Sequence, residues 1–425
     1  MKNNLLLVVT ATLMLSGCNG VSRKSESKES SSSAQSIPSS SEVSSLESSS
    51  SIEETSSSSI EESTASSSVS SEEPSSISSS EELSSSSSEQ SISHRNDYVD
   101  VYVLSGQSNM EGSTYWTHPN GTPLLENYFE EEGMDFSLVR DGMPNILTSY
   151  YGFYHPNGWT QAHTASPDKS TPEARLTPNF QPTKVGMGVG DKGDNPNPFF
   201  GPELGIANTI AEYASEENPV HLIKCAFSGS GFKNGNYANS DPDWQSREDD
   251  PKQSLFYLLK TYTYNCLHAI EEEGKVPVIK GFIWHQGESD TGNNDYQTQM
   301  ETLIKDFREE FATYAVEENP KNIAFLDCTI YDGSKNRYGK QQEVNNGINK
   351  LKNNIAAKGQ LDKDDPDYEP NYIVDGTFTE NGLKLEIGDD AQGGYNTYHY
   401  NTKDAYILGK AYGEIILNNN LLRDK

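Results

Sequence analysis

Five short runs rich in β-branched and aromatic residues, 99–104, 219–227, 276–284, 322–328 and 371–375, are each bounded by polar residues and set what this chain can become. Runs of this kind read as strands buried on both faces, the pattern of a parallel sheet. Amphipathic stretches alternate with them at 202–213, 254–273, 296–314, 345–357 and 402–417. Strand and helix in alternation predict one doubly wound α/β domain, with its site at the carboxyl ends of the strands.

One stretch breaks the rhythm. Residues 115–200 are rich in Pro, Asn, Gly and aromatics, including Trp116, Tyr128, Tyr150, Tyr151, Tyr154 and Trp159. A loop so long inside a compact domain is uncommon unless it has a function. Because it follows the first predicted strand, this insertion is expected to overhang the site. Its rings then either stack on sugars or plug the edge of the sheet, and the sequence favours neither reading.

The domain occupies 97–425, because what precedes it cannot fold. Residues 21–96 hold 39 Ser and 13 Glu, with only Arg23, Lys24, Lys28 and Arg95 as basic residues and no Gly, Tyr, Phe or Trp. No apolar cluster there offsets the entropy of ordering the backbone, so the segment reads as a disordered tether. Residues 1–20 carry Lys2 and an apolar run over 5–15, too short for a stable membrane span, and read as an export signal. The signal ends in Leu15-Ser16-Gly17-Cys18, which resembles the lipobox of bacterial lipoproteins. That resemblance implies a lipid on Cys18 and a domain held at the outward face of a membrane.

Charge narrows the partners further. The chain has 63 acidic against 32 basic residues, a formal net charge of −31, which argues against nucleic acid as a partner. Of these, 50 acidic and 27 basic residues lie in 97–425, and that surplus weighs against anionic ligands. The three cysteines left after Cys18 (Cys225, Cys266 and Cys328) form no disulfide framework and no metal-ligand spacing, and read as buried thiols. The acidic run 362–369 lacks the glycine and ligand spacing of an EF-hand and reads as a solvated loop. Neither a metal nor a cofactor is expected, and nothing in the sequence sets an oligomeric state.

Three clusters carry the chemistry. Ser105-Gly106-Gln107-Ser108-Asn109-Met110 stands where the first strand ends, so Ser108 Oγ is expected in a tight turn at the site, with its own amide turned toward a substrate oxygen. It is not the G-x-S-x-G elbow, since Met110 takes the place of the second glycine. Ser228-Gly229-Ser230-Gly231 follows the second strand and offers unhindered backbone amides. Ser230 is there a rival nucleophile, ranked below Ser108. Trp284-His285-Gln286-Gly287-Glu288-Ser289-Asp290 closes the third strand with an imidazole, an amide and two carboxylates. Of eight histidines, His94 lies in the tether, His118, His155 and His163 in the insertion, and His221 and His268 within strand and helix patterns. His285 and His399 remain as candidate bases.

Taken in order, Gly106-Gln107-Ser108-Asn109-Met110, Gly201-Pro202-Glu203-Leu204-Gly205, Phe227-Ser228-Gly229-Ser230, the His285-Gln286-Gly287-Glu288 motif and His399 followed by Leu408-Gly409 resemble the sialate O-acetylesterase-type (SASA) domain. That group includes the acetyl xylan esterases of carbohydrate esterase family six and belongs to the SGNH-like hydrolases. The resemblance implies a flavodoxin-like three-layer sandwich with a five-stranded parallel sheet, and hydrolysis of acetyl esters on glycans without a cofactor. It makes Ser108 the nucleophile and His399 the general base, with an oxyanion hole of the Ser108 and Gly229 amides and the Gln286 side chain. One departure matters: three residues before the base, where the family has Asp, stands Asn396. An amide orients a ring but does not stabilise an imidazolium. The resemblance implies an alternative, the Glu of the His-Gln-Gly-Glu motif orienting the base, and Glu288 is the acid that both matches a motif and sits at a strand end, so the expected triad is Ser108–His399–Glu288, with Asn396 and Asn109 as supports. The competing expectation is a carbohydrate-binding module whose damaged triad no longer turns over.

Overall fold

The computed structural model describes residues 97–154, 162–190, 197–232, 242–331, 341–358, 372–374 and 399–422. Cys18, the 21–96 segment, His155, Trp159, the 362–369 run and Asn396 lie outside them. Eight strands form the main sheet: β1 (Tyr98–Gly106), β2 (Met143–Tyr154), β3 (Ala162–Thr164), β4 (Gln181–Thr183), β5 (Val220–Ser228), β6 (Val276–His285), β7 (Ala324–Asp327) and β8 (Tyr372–Val374). The spatial order is β8-β7-β6-β1-β5-β2-β3, with β4 also paired to β2. Every pairing from β8 to β2 is parallel, whereas β3 and β4 pair with β2 antiparallel.

The five strands expected from the sequence are β1, β5, β6, β7 and β8, and their order is that of flavodoxin, with a switch point between β1 and β6. The sheet is nevertheless wider than five strands. Much of the 115–200 insertion is not an overhanging loop: it supplies β2, which runs parallel beside β5 from Ile146↔Val220 to Tyr154↔Ser228. Its polar residues obscure the strand in the sequence, yet they are satisfied inside. Thr148 Oγ1 lies 2.7 Å from Thr183 Oγ1, and Ser149 Oγ 2.7 Å from Tyr262 OH. Tyr151 is buried against Phe153, Phe227 and Tyr262, so this ring serves as core rather than as a sugar platform.

Helices cover both faces. Val99, Val101 and Val103 point to one core, which they share with α3 (Leu255–Glu272), α4 (Tyr296–Glu310) and α5 (Gln341–Lys358). Tyr102 and Leu104 point to the other, shared with α2 (Glu203–Ile210), α6 (Thr402–Asn418) and the helix Leu124–Glu131. Period-two alternation with apolar residues on both faces is what a doubly covered parallel strand requires. Cys225, Cys266 and Cys328 are buried and form no disulfide among the described residues. No described helix is long and apolar enough to cross a membrane.

The packing of α2 on α6 explains two motif glycines. A Cβ on Gly205 would stand 2.2 Å from Tyr406 O, and one on Gly409 2.1 Å from Pro202 O, so the two backbones touch. Gly409→Ala is expected to cost about 1–3 kcal/mol through forced separation of the helices. Denaturant unfolding measures this, and an unchanged midpoint would contradict the close crossing.

Candidate active site at the carboxyl edge of the sheet

The site begins where β1 ends. Gly106 has φ +142°, and a Cβ there would lie 2.1 Å from His285 O on β6, so only glycine lets the two strand ends approach. Gln107 N then donates to His285 O (3.1 Å), and the chain turns into a short helix, α1 (Ser108–Glu111). Ser108 is its first residue, a position at which the helix supplies no acceptor for the amide. The turn is closed by Met110 N and Glu111 N, both donating to Gln107 O (2.9 and 2.8 Å).

The neighbouring strand end carries the densest polar network. Gln107 Oε1 accepts from Ser289 N and from Gln286 Nε2, each at 3.2 Å, which ties the loop after β6 to the loop after β1. Gln286 Nε2 also donates to Asp290 Oδ2 (2.6 Å) and Ser230 O (3.2 Å), while Tyr296 OH donates to Gln286 Oε1 (3.0 Å). The sequence expectation gave this amide to the oxyanion hole. Its two hydrogens instead face three protein acceptors, so Gln286 braces the loops. Asp290 completes the brace by accepting from Phe232 N and Asn293 Nδ2. Burial pushes the Asp290 carboxyl up to about 7.

His285 is also a strut. It is fully buried, with Nδ1 3.1 Å from Cys328 Sγ and Nε2 3.2 Å from Tyr400 OH, and burial holds its pKa down at about 3. Of the two candidate bases, only His399 has any opening to solvent, at 6% exposure, comparable with 5% for Ser108. Ser230, the rival nucleophile, has none, and its Oγ accepts from Trp244 Nε1 (2.9 Å).

Asn109 joins what the sequence holds far apart. Its Nδ2 donates to Glu288 Oε1 (2.5 Å), and its Oδ1 accepts from Tyr400 N (3.3 Å). The residue after Ser108 thus holds both Glu288 and the peptide following His399. Thr114 Oγ1 donates to Tyr400 O (3.0 Å), and Asn401 caps α6 by accepting from Asp404 N (2.8 Å), so the chain leaving His399 is fixed on both sides. Glu288 Oε2 is buried and makes no hydrogen bond among the described residues. Burial outweighs the Asn109 hydrogen bond and lifts the Glu288 carboxyl to about 7. Burial also lowers His399 to about 3, which keeps the imidazole in the neutral form a base requires.

Across β1, the end of β5 presents Gly229 at φ +74°, in a turn closed by Ser230 N donating to Phe227 O (3.2 Å). A hydroxyl, a neutral imidazole, a buried carboxyl and glycine-turn amides at one sheet edge are the constituents of acyl transfer. Asn396 lies outside the described residues. Among those described, no group of three or more His, Cys, Asp and Glu is arranged to hold a metal ion. Sequence reasoning missed Asp290 as a brace and Glu111, whose buried carboxyl accepts from Ser228 N (2.9 Å). The signal available was a charged residue set among small and apolar ones immediately after a motif.

No curated protein matches the chain. Among solved structures, a protein from Arabidopsis thaliana is 17% identical with a TM-score of 0.42, covering 75% of this chain and 98% of that one. NanS is 15% identical with a TM-score of 0.47, covering 76% and 97%. The family model for SASA, carbohydrate esterase, sialic acid-specific acetylesterase, matches residues 98–367, from β1 to beyond α5. On that match, the chain belongs to the SASA family of carbohydrate esterases.

Proposed function

We propose that this protein removes O-acetyl groups from glycans through an acetyl-enzyme on Ser108. The observation that carries the reading is the Asn109 side chain, which links Glu288 and the His399–Tyr400 peptide in the residue after Ser108. In the first step His399 takes the Ser108 proton, Oγ bonds to the acetyl carbonyl carbon, and the collapsing tetrahedral intermediate expels the sugar oxygen, which receives that proton. Water, deprotonated by His399, then attacks the acetyl-enzyme and releases acetate and the free serine. Glu288 stabilises the imidazolium formed in both steps, and the amides of Ser108 and Gly229 receive the oxyanion.

The family description names sialic acid, whereas the surplus of 50 acidic over 27 basic residues in 97–425 works against an anionic sugar. We therefore assign the substrate class as acetylated glycan, with the tilt toward neutral polysaccharide. A lipid on Cys18 would place the enzyme at the outward face of a membrane, with the 21–96 segment as its tether.

Ser108→Ala is expected to abolish acetate release from acetylated xylan and nitrophenol release from its acetate. Glu288→Gln is expected to lower kcat by about two to four powers of ten, the scale for an acid-to-amide change beside a catalytic imidazole. No turnover by the wild type together with retained glycan binding would establish a binding module instead. Full activity in Glu288→Gln would remove the acid from this assignment.

A pH profile tests the same carboxyl. Glu288 is raised to about 7 and His399 is neutral above about 3, so the ionised carboxylate appears as pH rises through about 7. The expected kcat/KM climbs across that range to a plateau, and Glu288→Gln lacks the limb. A profile flat from pH 5 to 8 in the wild type would contradict it.

A further inference from the structure

One buried carboxyl beside the site has no part in that reaction. Glu111 closes α1, the short helix that Ser108 opens, and it is 4% exposed. Its Oε2 accepts from both Ser228 N (2.9 Å) and Ser228 Oγ, at the last residue of β5. The structure makes room for it: a Cβ on Gly152 of β2 would stand 2.8 Å from Glu111 Oε1. The nearby cation also acts on it: Lys224 Nζ pairs with Glu203 Oε2 (2.9 Å), donates to Glu111 O (2.9 Å) and Met187 O (2.5 Å), and draws the Glu111 carboxyl down by its charge. His163 accepts from Gly190 N at Nδ1 (3.1 Å), which leaves its hydrogen on Nε2, 3.8 Å from Glu111 Oε1. Burial pushes this carboxyl up to about 7 against both hydrogen bonds. A group so costly to bury is held by what it binds.

What it binds is the residue before Gly229. The two oxyanion amides come from different elements, Ser108 from α1 and Gly229 from the turn after β5, and Glu111 bridges those elements directly. We propose that Glu111 is a positioning residue for the oxyanion hole: by clamping Ser228 to α1 it fixes the Gly229 amide relative to the Ser108 amide. The inference rests on the esterase reading above.

The test measures kcat, KM and inhibition by a small alkylboronic acid, which forms a tetrahedral anion on serine, for the full chain with nitrophenyl acetate as substrate. Glu111→Leu removes the acceptor and is expected to lower kcat by about ten- to a hundred-fold, less than deleting a donor outright, with KM within about twofold. Boronate affinity should fall in parallel. Glu111→Gln keeps an acceptor oxygen for both Ser228 donors and should restore kcat to within about threefold of the wild type. Wild-type kcat in Glu111→Leu, or a lower kcat with unchanged boronate affinity, would overturn the clamp. If Glu111→Leu does not fold, Ser228→Ala decides, since it removes only the hydroxyl donor: lower kcat at constant KM supports the clamp, and unchanged kcat overturns it. An inactive wild type would defeat the esterase reading itself, and this inference with it, whereas an active wild type with unaffected variants defeats the clamp alone.

Discussion

The molecule depends on how closely two parallel strand ends approach each other. At Gly106 the backbone of β1 lies so near His285 O that a Cβ would be 2.1 Å away, and the Gln107 amide donates into the same carbonyl. From this contact the Gln107 side chain reaches the loop after β6 and holds Gln286 and Ser289. It lies at the switch point of the sheet, between β1 and β6. Any side chain at Gly106 would separate β1 from β6 and carry Ser108 away from Glu288.

Around that contact, buried polar groups do what apolar packing cannot. Asn109, Gln107, Gln286 and Asp290 join loops that follow three different strands, with donors and acceptors matched at nearly every atom. A network satisfied to this degree fixes one arrangement of the loops, and its members are costly to remove singly. The carboxyls in and beside the network carry the cost of burial. Glu111, Glu288 and Asp290 are each held near pKa 7 by burial, so the site keeps carboxyls that change charge close to neutral pH. Buried carboxyls of perturbed pKa gather where chemistry occurs more often than elsewhere.

Much of this was legible in the sequence, for identifiable reasons. The runs that became β1, β5, β6, β7 and β8 are apolar enough to be read locally, and the motifs at three of their ends placed Ser108, Gly229 and Glu288 on one edge. The strand β2 was not legible, because Thr148, Ser149 and Gly152 dilute its pattern and only pairing with β5 and partners such as Thr183 and Tyr262 make it a strand. Gln286 was assigned to the oxyanion by resemblance, but the acceptors that occupy it, Gln107, Ser230 and Asp290, come together only in the fold. Between His285 and His399 the sequence decided only by resemblance, whereas the fold separates them by their surroundings: His285 is fully enclosed between Cys328 and Tyr400, and His399 keeps a small opening to solvent.

The central claim is that chemistry passes through Ser108. Acid quenching during turnover of an acetyl ester, followed by peptide mapping in the mass spectrometer, tests it most directly. The account predicts the mass of one acetyl group on the peptide containing Ser108, placed on that residue by fragmentation and absent in Ser108→Ala. Turnover with the acetyl group on Ser230 or on any other residue, or undiminished turnover in Ser108→Ala, would contradict it.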